Sequence, residues 1–260
     1  MPAADPADHV LARELADEAG RMLVELRQRL VAEGASAREL KDEGDRRSHE
    51  LLMSRLAEHR PDDAVLSEEG SGADGPAGSA RLYAERVWIV DPLDGTREYG
   101  EPPRTDWAVH VALACDGRAA AGAVALPAQG RVLTTSATCP RPSAPPTRPR
   151  VIVSRSRPPA VATHLADALD GDLVEMGSAG AKVAAVVLGD ADVYPHAGGQ
   201  YEWDSCAPVA VAAAVGLVTT RLDGSPLVYN RVDPYLPDLL VCHPTLAGAV
   251  RQVLDRWLTG

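Results

Sequence analysis

The sequence predicts a layered α/β sandwich in two parts, an α+β N-terminal domain over residues 1–140 and an α/β C-terminal domain over residues 151–260. Long stretches with apolar residues at helical spacing open the chain, and short apolar, β-branched runs follow them. After a proline-rich interruption, strand-like and helix-like segments alternate.

Asp8 to Leu30 places Val10, Leu11, Leu15, Ala19, Leu23, Leu26 and Leu30 on one helical face, the pattern of an amphipathic scaffold helix. A polar stretch, Lys41 to Arg47, separates it from a second helix over Ser48 to His59, which Pro61 ends in a turn. Ala64 to Ser67 reads as a short strand delivering Glu68 and Glu69, and the Gly, Ala and Ser run Gly70 to Ser79 as a loop fit to act as a lid. Arg86 to Val90 is a buried strand running into Asp91, with further strands at Trp107 to Ala114 and Gly122 to Leu126. Cys139 to Arg150 holds five prolines and reads as a connector between the two parts. Beyond it come a strand at Val151 to Ser154, helices at Pro159 to Leu169 and Ala179 to Leu188, and a strand at Ala191 to Tyr194. A buried helix, Asp204 to Val215, is entered through a charged turn, and Asp223 to Leu227 reads as a hairpin turn.

Hydrophobic residues make up 45% of the 260, enough for a substantial core, yet aromatics are only 4% and Phe is absent, so Leu, Val and Ala must fill it. A net charge of −11 argues against a nucleic-acid polymer or an anionic membrane as partner. The N-terminus lacks the basic and apolar regions of a signal peptide, and no apolar stretch reaches membrane-span length, so cytoplasm is the expected compartment. Cys115, Cys139, Cys206 and Cys242 are too scattered for a zinc site or a disulfide framework. Of 26 basic residues only Lys41 and Lys182 are lysines, which draws attention to both positions.

Asp91-Pro92-Leu93-Asp94-Gly95-Thr96 gathers two carboxylates, a hydroxyl and a glycine directly after a hydrophobic strand. Pro92 stiffens the turn, Gly95 permits close backbone approach, and oxygen-only donors suit a hard cation such as Mg2+ rather than zinc. Seen alone, the two aspartates could equally cap a helix or pair with arginines such as Arg97, Glu68 could sit in a solvated acidic loop, and Asp204 could be a helix cap.

Taken together, Ser67-Glu68-Glu69, the Asp91–Thr96 segment and Trp203-Asp204 before an alanine-rich helix resemble, in order, the motifs of the inositol monophosphatase superfamily, and the acidic block Lys41 to Asp45 fits its N-terminal region. The resemblance implies a layered αβαβα sandwich with the site between the two parts. It also implies two or three Mg2+ per site. Glu68, Asp91 and the Leu93 carbonyl hold one; Asp91, Asp94 and Asp204 hold a second; Asp45 supports a third or the nucleophilic water. In this scheme water oriented by Glu68 and Thr96 attacks phosphorus in line, with no covalent intermediate.

Substrate contacts are expected from Gly95, Thr96, Ser178, Lys182, His196 and Lys41. Gly177 to Lys182 opens a helix with small residues, a plausible seat for an anion, and Lys182 makes the block more similar to the nucleotide-directed branch than to the inositol phosphatases. Lys182 on a helix surface and His196 in an exposed loop, each without such a role, are the competing readings. The closest resemblance is to bacterial bisphosphate nucleotidases that convert 3′-phosphoadenosine 5′-phosphate to AMP, with inositol 1-phosphate or fructose 1,6-bisphosphate as other substrates the same centre suits. A metal-binding regulatory protein without activity is the reading from another class; it predicts a missing ligand, and none is missing. The resemblance further implies Li+ inhibition, and a homodimer is common in the superfamily.

Overall fold

The computed structural model describes residues 4–70, 80–136 and 147–259. Most of the run expected as a lid (71–79) and most of the proline-rich connector (139–146) lie outside them. Five layers stack as helix, sheet, helix, sheet, helix, which is the expected sandwich.

The first layer pairs α1 (Pro6–Ala32) with α2 (Ala37–His59). Asp5 and Asp8 close a reciprocal capping box on α1. Asp8 is fully buried and also binds Arg60 and Arg86, so the helix start is pinned to the sheet beneath it. The second helix starts eleven residues before the expected Ser48, at a Ser36/Glu39 capping box, and so absorbs the polar Lys41 to Arg47 stretch. Its buried stripe recurs every fourth residue as Leu40, Gly44, Ser48, Leu52 and Leu56, and the two non-apolar members hide the period. A Cβ on Gly44 would stand 2.7 Å from Tyr99 and 2.8 Å from Leu93, so the missing side chain lets α2 lie close to the motif strand.

The first sheet has the order β1 (Ala64–Ser67), β2 (Arg86–Asp94), β3 (Ala108–Cys115), β4 (Arg118–Leu126), β5 (Arg131–Thr134). The β1–β2 pair is parallel and the rest are antiparallel. Every residue of β3 is buried, because helices cover both faces. Val109, Val111 and Leu113 face the α1/α2 layer, whereas Ala108, Ala112 and Ala114 face the middle helices. The small residues on that second face let those helices approach closely.

The second sheet contains β6 (Arg150–Ser154), β7 (Asp172–Met176), β8 (Val193–Tyr201), β9 (Val218–Thr220) and β10 (Tyr235–Cys242), in the order β7-β6-β8-β10-β9. Between the sheets lie α5 (Ala179–Leu188) and α6 (Glu202–Ala214); α4 (Ala160–Ala168) and α7 (Ala247–Thr259) cover the outer face. The remaining short helix, α3 (Thr96–Tyr99), follows the Asp91–Gly95 segment. β5, β7, β9, β10, α3 and α7 were not expected from sequence, and β8 runs seven residues past Tyr194, carrying His196 on a strand instead of a loop. The expected turn at Asp223 to Leu227 is present at Gly224, within the longer β9–β10 connection rather than a tight hairpin. Cys115, Cys206 and Cys242 are free and buried; Cys139 lies outside the described residues. Among the described residues no helix is long and apolar enough to cross a membrane.

Leu23 of α1, fully buried in the cluster between the first helix layer and the first sheet, tests the outer layer: Leu23→Ala should lower unfolding free energy by about 2–5 kcal/mol in a denaturant titration. The same truncation at exposed Val10 should cost less than about 0.5 kcal/mol.

Candidate metal centre

The carboxylates come together at strand ends and helix starts. The β2–β3 ladder pairs Asp91 with His110 and then Asp94 with Ala108, an irregularity that inserts Pro92 and Leu93 into β2. Pro92 has no N–H for a ladder, Ser48 Oγ donates to its carbonyl at 2.6 Å, and the Leu93 N–H turns onto Asp91 Oδ1 at 3.0 Å. Gly95 follows at φ +83°, in the left-handed region, with space for a Cβ blocked by Ser178 and the Asp106 carbonyl. The Thr96 hydroxyl then lies 3.0 Å from the Leu93 carbonyl and 3.3 Å from Asp45 Oδ1, which reaches over from α2.

Parallel pairing of Ser67 with Val90 sets Glu68 beside Asp91, and the two carboxyl groups share a hydrogen bond. Asp204 enters from the first turn of α6, where its Oδ2 accepts the Tyr201 N–H at 2.6 Å. Oxygens of Asp91, Asp94 and Asp204 all lie within 4.8 Å of one another. Burial raises Asp45 to about 7, helped by the charge of Glu69; it raises Glu68 to about 7, helped by Asp45 and Asp94. Burial and the charge of Asp94 likewise raise Asp204 to about 7, and Asp91 is pushed well above the usual carboxylate range by burial and by Glu68.

Asp94 goes the other way. Burial alone would raise it, but His110, the Ser178 hydroxyl and the Gly180 N–H stabilise its charge and bring it to about 2. Its carboxylate sits on the N-terminus of α5, accepting from Ser178 Oγ at 2.5 Å, Ala179 N–H at 3.1 Å and Gly180 N–H at 2.6 Å. The helix start expected to seat a substrate anion is therefore filled by the protein's own Asp94.

The expected substrate contacts divide. Gly95, Thr96 and Ser178 line the carboxylate cluster. Lys182 is not the surface lysine of the competing reading: it is 4% exposed, and its ammonium donates to the carbonyls of Gly177 and Ser178 at 3.1 and 2.5 Å, over the Tyr194 ring. It fastens the Gly177–Ser178 turn. Lys41 is half-buried on α2, one turn before Asp45, with its stem against Gly100. His196 is half-buried, 3.3 Å from the Tyr194 hydroxyl, and burial together with Lys182 lowers it to about 4, so it is neutral at neutral pH.

His110 was missed. It is fully buried on β3, with Nδ1 3.0 Å from the Trp203 carbonyl and Nε2 3.2 Å from Asp94 Oδ2, a charge contact without an aligned hydrogen bond. Burial opposes its charged form, but Asp94, the Trp203 carbonyl and Asp204 together outweigh that and raise it. A single polar residue in the apolar run Trp107 to Ala114 was the available signal.

Carboxyl groups this crowded repel one another, and oxygen-only donors at this spacing fit a hard divalent cation, which would relieve the repulsion. Fold and site thus define a carboxylate-lined metal protein built between two sheets. The chain belongs to the inositol monophosphatase family, whose model matches residues 7–255. A 3′-phosphoadenosine 5′-phosphate phosphatase of Mycobacterium leprae is 46% identical over 266 residues, 96% of each chain. A protein of the same name from Mycobacterium tuberculosis is 46% identical over 252 residues, 92% of this chain and 91% of the other. Among solved structures, inositol monophosphatase II of Staphylococcus aureus superposes with a TM-score of 0.77 at 20% identity, covering 96% of this chain and 94% of that one.

Raised carboxylates bind protons more readily folded than unfolded, so below about pH 4 their contribution is complete, and it is lost as pH rises through about 7. A divalent cation removes the penalty at the upper end. The rise in Tm on replacing EDTA with Mg2+ should therefore grow between pH 5 and pH 8, as thermal scans across that range will read.

Proposed function

We propose that this chain is a Mg2+-dependent phosphomonoester hydrolase that removes the 3′-phosphate of 3′-phosphoadenosine 5′-phosphate, giving AMP and phosphate. The observation that carries the proposal is the convergence of Asp91, Asp94 and Asp204 within 4.8 Å, with Glu68 bonded to Asp91. The names of the two mycobacterial relatives, at 46% identity over nearly the whole chain, support the choice of substrate.

In this reading Glu68, Asp91 and the Leu93 carbonyl would hold one Mg2+, and Asp91, Asp94 and Asp204, whose oxygens lie within 4.8 Å of one another, would hold a second. When bound, Mg2+ supplies Lewis acidity at the phosphoryl oxygens and makes water a better nucleophile at neutral pH. The residues do the positioning. Glu68 offers a carboxylate oxygen to align the attacking water. The Thr96 hydroxyl, held between the Leu93 carbonyl and Asp45, fixes that water's direction. A bond forms from the water oxygen to phosphorus as the bond from phosphorus to the 3′-oxygen breaks. The proton lost from water balances the one gained by the leaving alkoxide, and because water attacks phosphorus directly no covalent enzyme intermediate is needed.

Phosphate release from 3′-phosphoadenosine 5′-phosphate, inositol 1-phosphate and fructose 1,6-bisphosphate at one Mg2+ concentration tests this. The nucleotide should give the highest kcat/KM; a preference for inositol 1-phosphate would overturn the substrate assignment, and no release from any of them the enzymatic one. Asp94→Asn should lower kcat by at least about 100-fold, since it removes a metal ligand from an assembled centre. Circular dichroism should show its fold retained.

A further inference from the structure

We infer that His110 is a positioning residue of the metal centre, holding the first turn of α6, and with it Asp204, in register with Asp94. This role presupposes the metal-dependent reading above and adds a residue to it. A carbonyl only accepts, so Nδ1, 3.0 Å from the Trp203 carbonyl, carries a hydrogen and donates it. The opposite edge of the same ring lies 3.2 Å from Asp94 Oδ2. One imidazole thus touches a carboxylate from the N-terminal half and the peptide just before a carboxylate from the C-terminal half.

Packing alone does not account for this ring. The other residues of β3 are Ala, Val, Leu and Cys, any of which would fill a layer between helices without a polar atom to satisfy. A Cβ on Gly180 would stand 1.9 Å from Nε2, so α5 presents bare backbone at the one place where the ring needs room. The first turn of α6 also needs outside support. Pro208 lies four residues after Asp204 and has no N–H to close the intrahelical bond with the Asp204 carbonyl. The His110 bond at the neighbouring Trp203 carbonyl steadies that turn.

The test compares the unmodified chain with His110→Ala, His110→Asn, Gly180→Ala and the His110→Ala/Gly180→Ala pair. Mn2+ binding is followed by electron paramagnetic resonance, and the Mg2+ dependence of phosphate release from 3′-phosphoadenosine 5′-phosphate is measured alongside. His110→Ala should weaken Mn2+ binding and raise the Mg2+ half-saturation by about tenfold or more, with KM for the nucleotide at saturating Mg2+ unchanged. His110→Asn, whose amide nitrogen takes the place of Nδ1, should recover most of that loss. Gly180→Ala should push the ring from the other side and weaken binding likewise, yet add nothing once the ring is gone.

Unchanged Mn2+ binding in His110→Ala overturns the role, as does additivity in the double variant or an Asn variant no better than Ala. If His110→Ala does not fold, unchanged Mn2+ binding in Gly180→Ala overturns it instead. An unmodified chain that binds Mn2+ but releases no phosphate would overturn the phosphatase reading and leave His110 to be decided by the Mn2+ titration.

Discussion

The seat of Asp94 on the first turn of α5 is the contact on which the rest of the site depends. Three donors, the Ser178 hydroxyl and the N–H groups of Ala179 and Gly180, converge on a carboxylate that belongs to the other sheet. A charged acceptor on a helix N-terminus is among the stronger hydrogen-bonded arrangements available to a protein. Together with His110 it keeps Asp94 ionised while its neighbours are driven toward neutrality. It also ties the strand that carries the acidic motif to the helix layer that carries Asp204.

Around that seat the protein accumulates repulsion it does not relieve by itself. Asp45, Glu68, Asp91 and Asp204 are all pushed up by burial and by neighbouring carboxylates, while the sheets and middle helices prevent them from moving apart. Such a centre lowers the stability of the empty fold and gives the same free energy back as affinity for a divalent cation. Two arginines hold the walls in place: buried Arg27 donates to the carbonyls of Glu98, Tyr99 and Arg104, and half-buried Arg155 pairs with Glu98 and Glu101 across the two parts of the chain.

Much of this was legible from residue order. Asp91 to Thr96 announced itself because a stiff turn with two carboxylates follows an apolar strand, and Glu68 and Asp204 gained meaning from sharing its company. The middle helices and most central strands followed from their periodicity. The rest was hidden for physical reasons. The α2 stripe includes Gly44 and Ser48, chosen for close approach and for the Pro92 carbonyl, so a reading by hydrophobicity begins that helix too late. Asp94 and its donors lie 84 to 86 residues apart, and neither segment names the other. Lys182 looked like a free cation because only the fold reveals the two carbonyls that take it up.

Glu68 and Glu69 are chemically the same, yet one is half-buried beside Asp91 and the other exposed. Nothing in their side chains makes that choice. It is made upstream, by the parallel register that matches Ala64 to Val87 and Ser67 to Val90. Glu68 and Glu69 open a short 3-10 turn directly after β1, so a slip of one position in that register would carry Glu69 to the place Glu68 holds beside Asp91. The hydrogen-bond ladder of β1 therefore acts as a ruler, and the choice of carboxylate is settled by backbone pairing before any ion arrives.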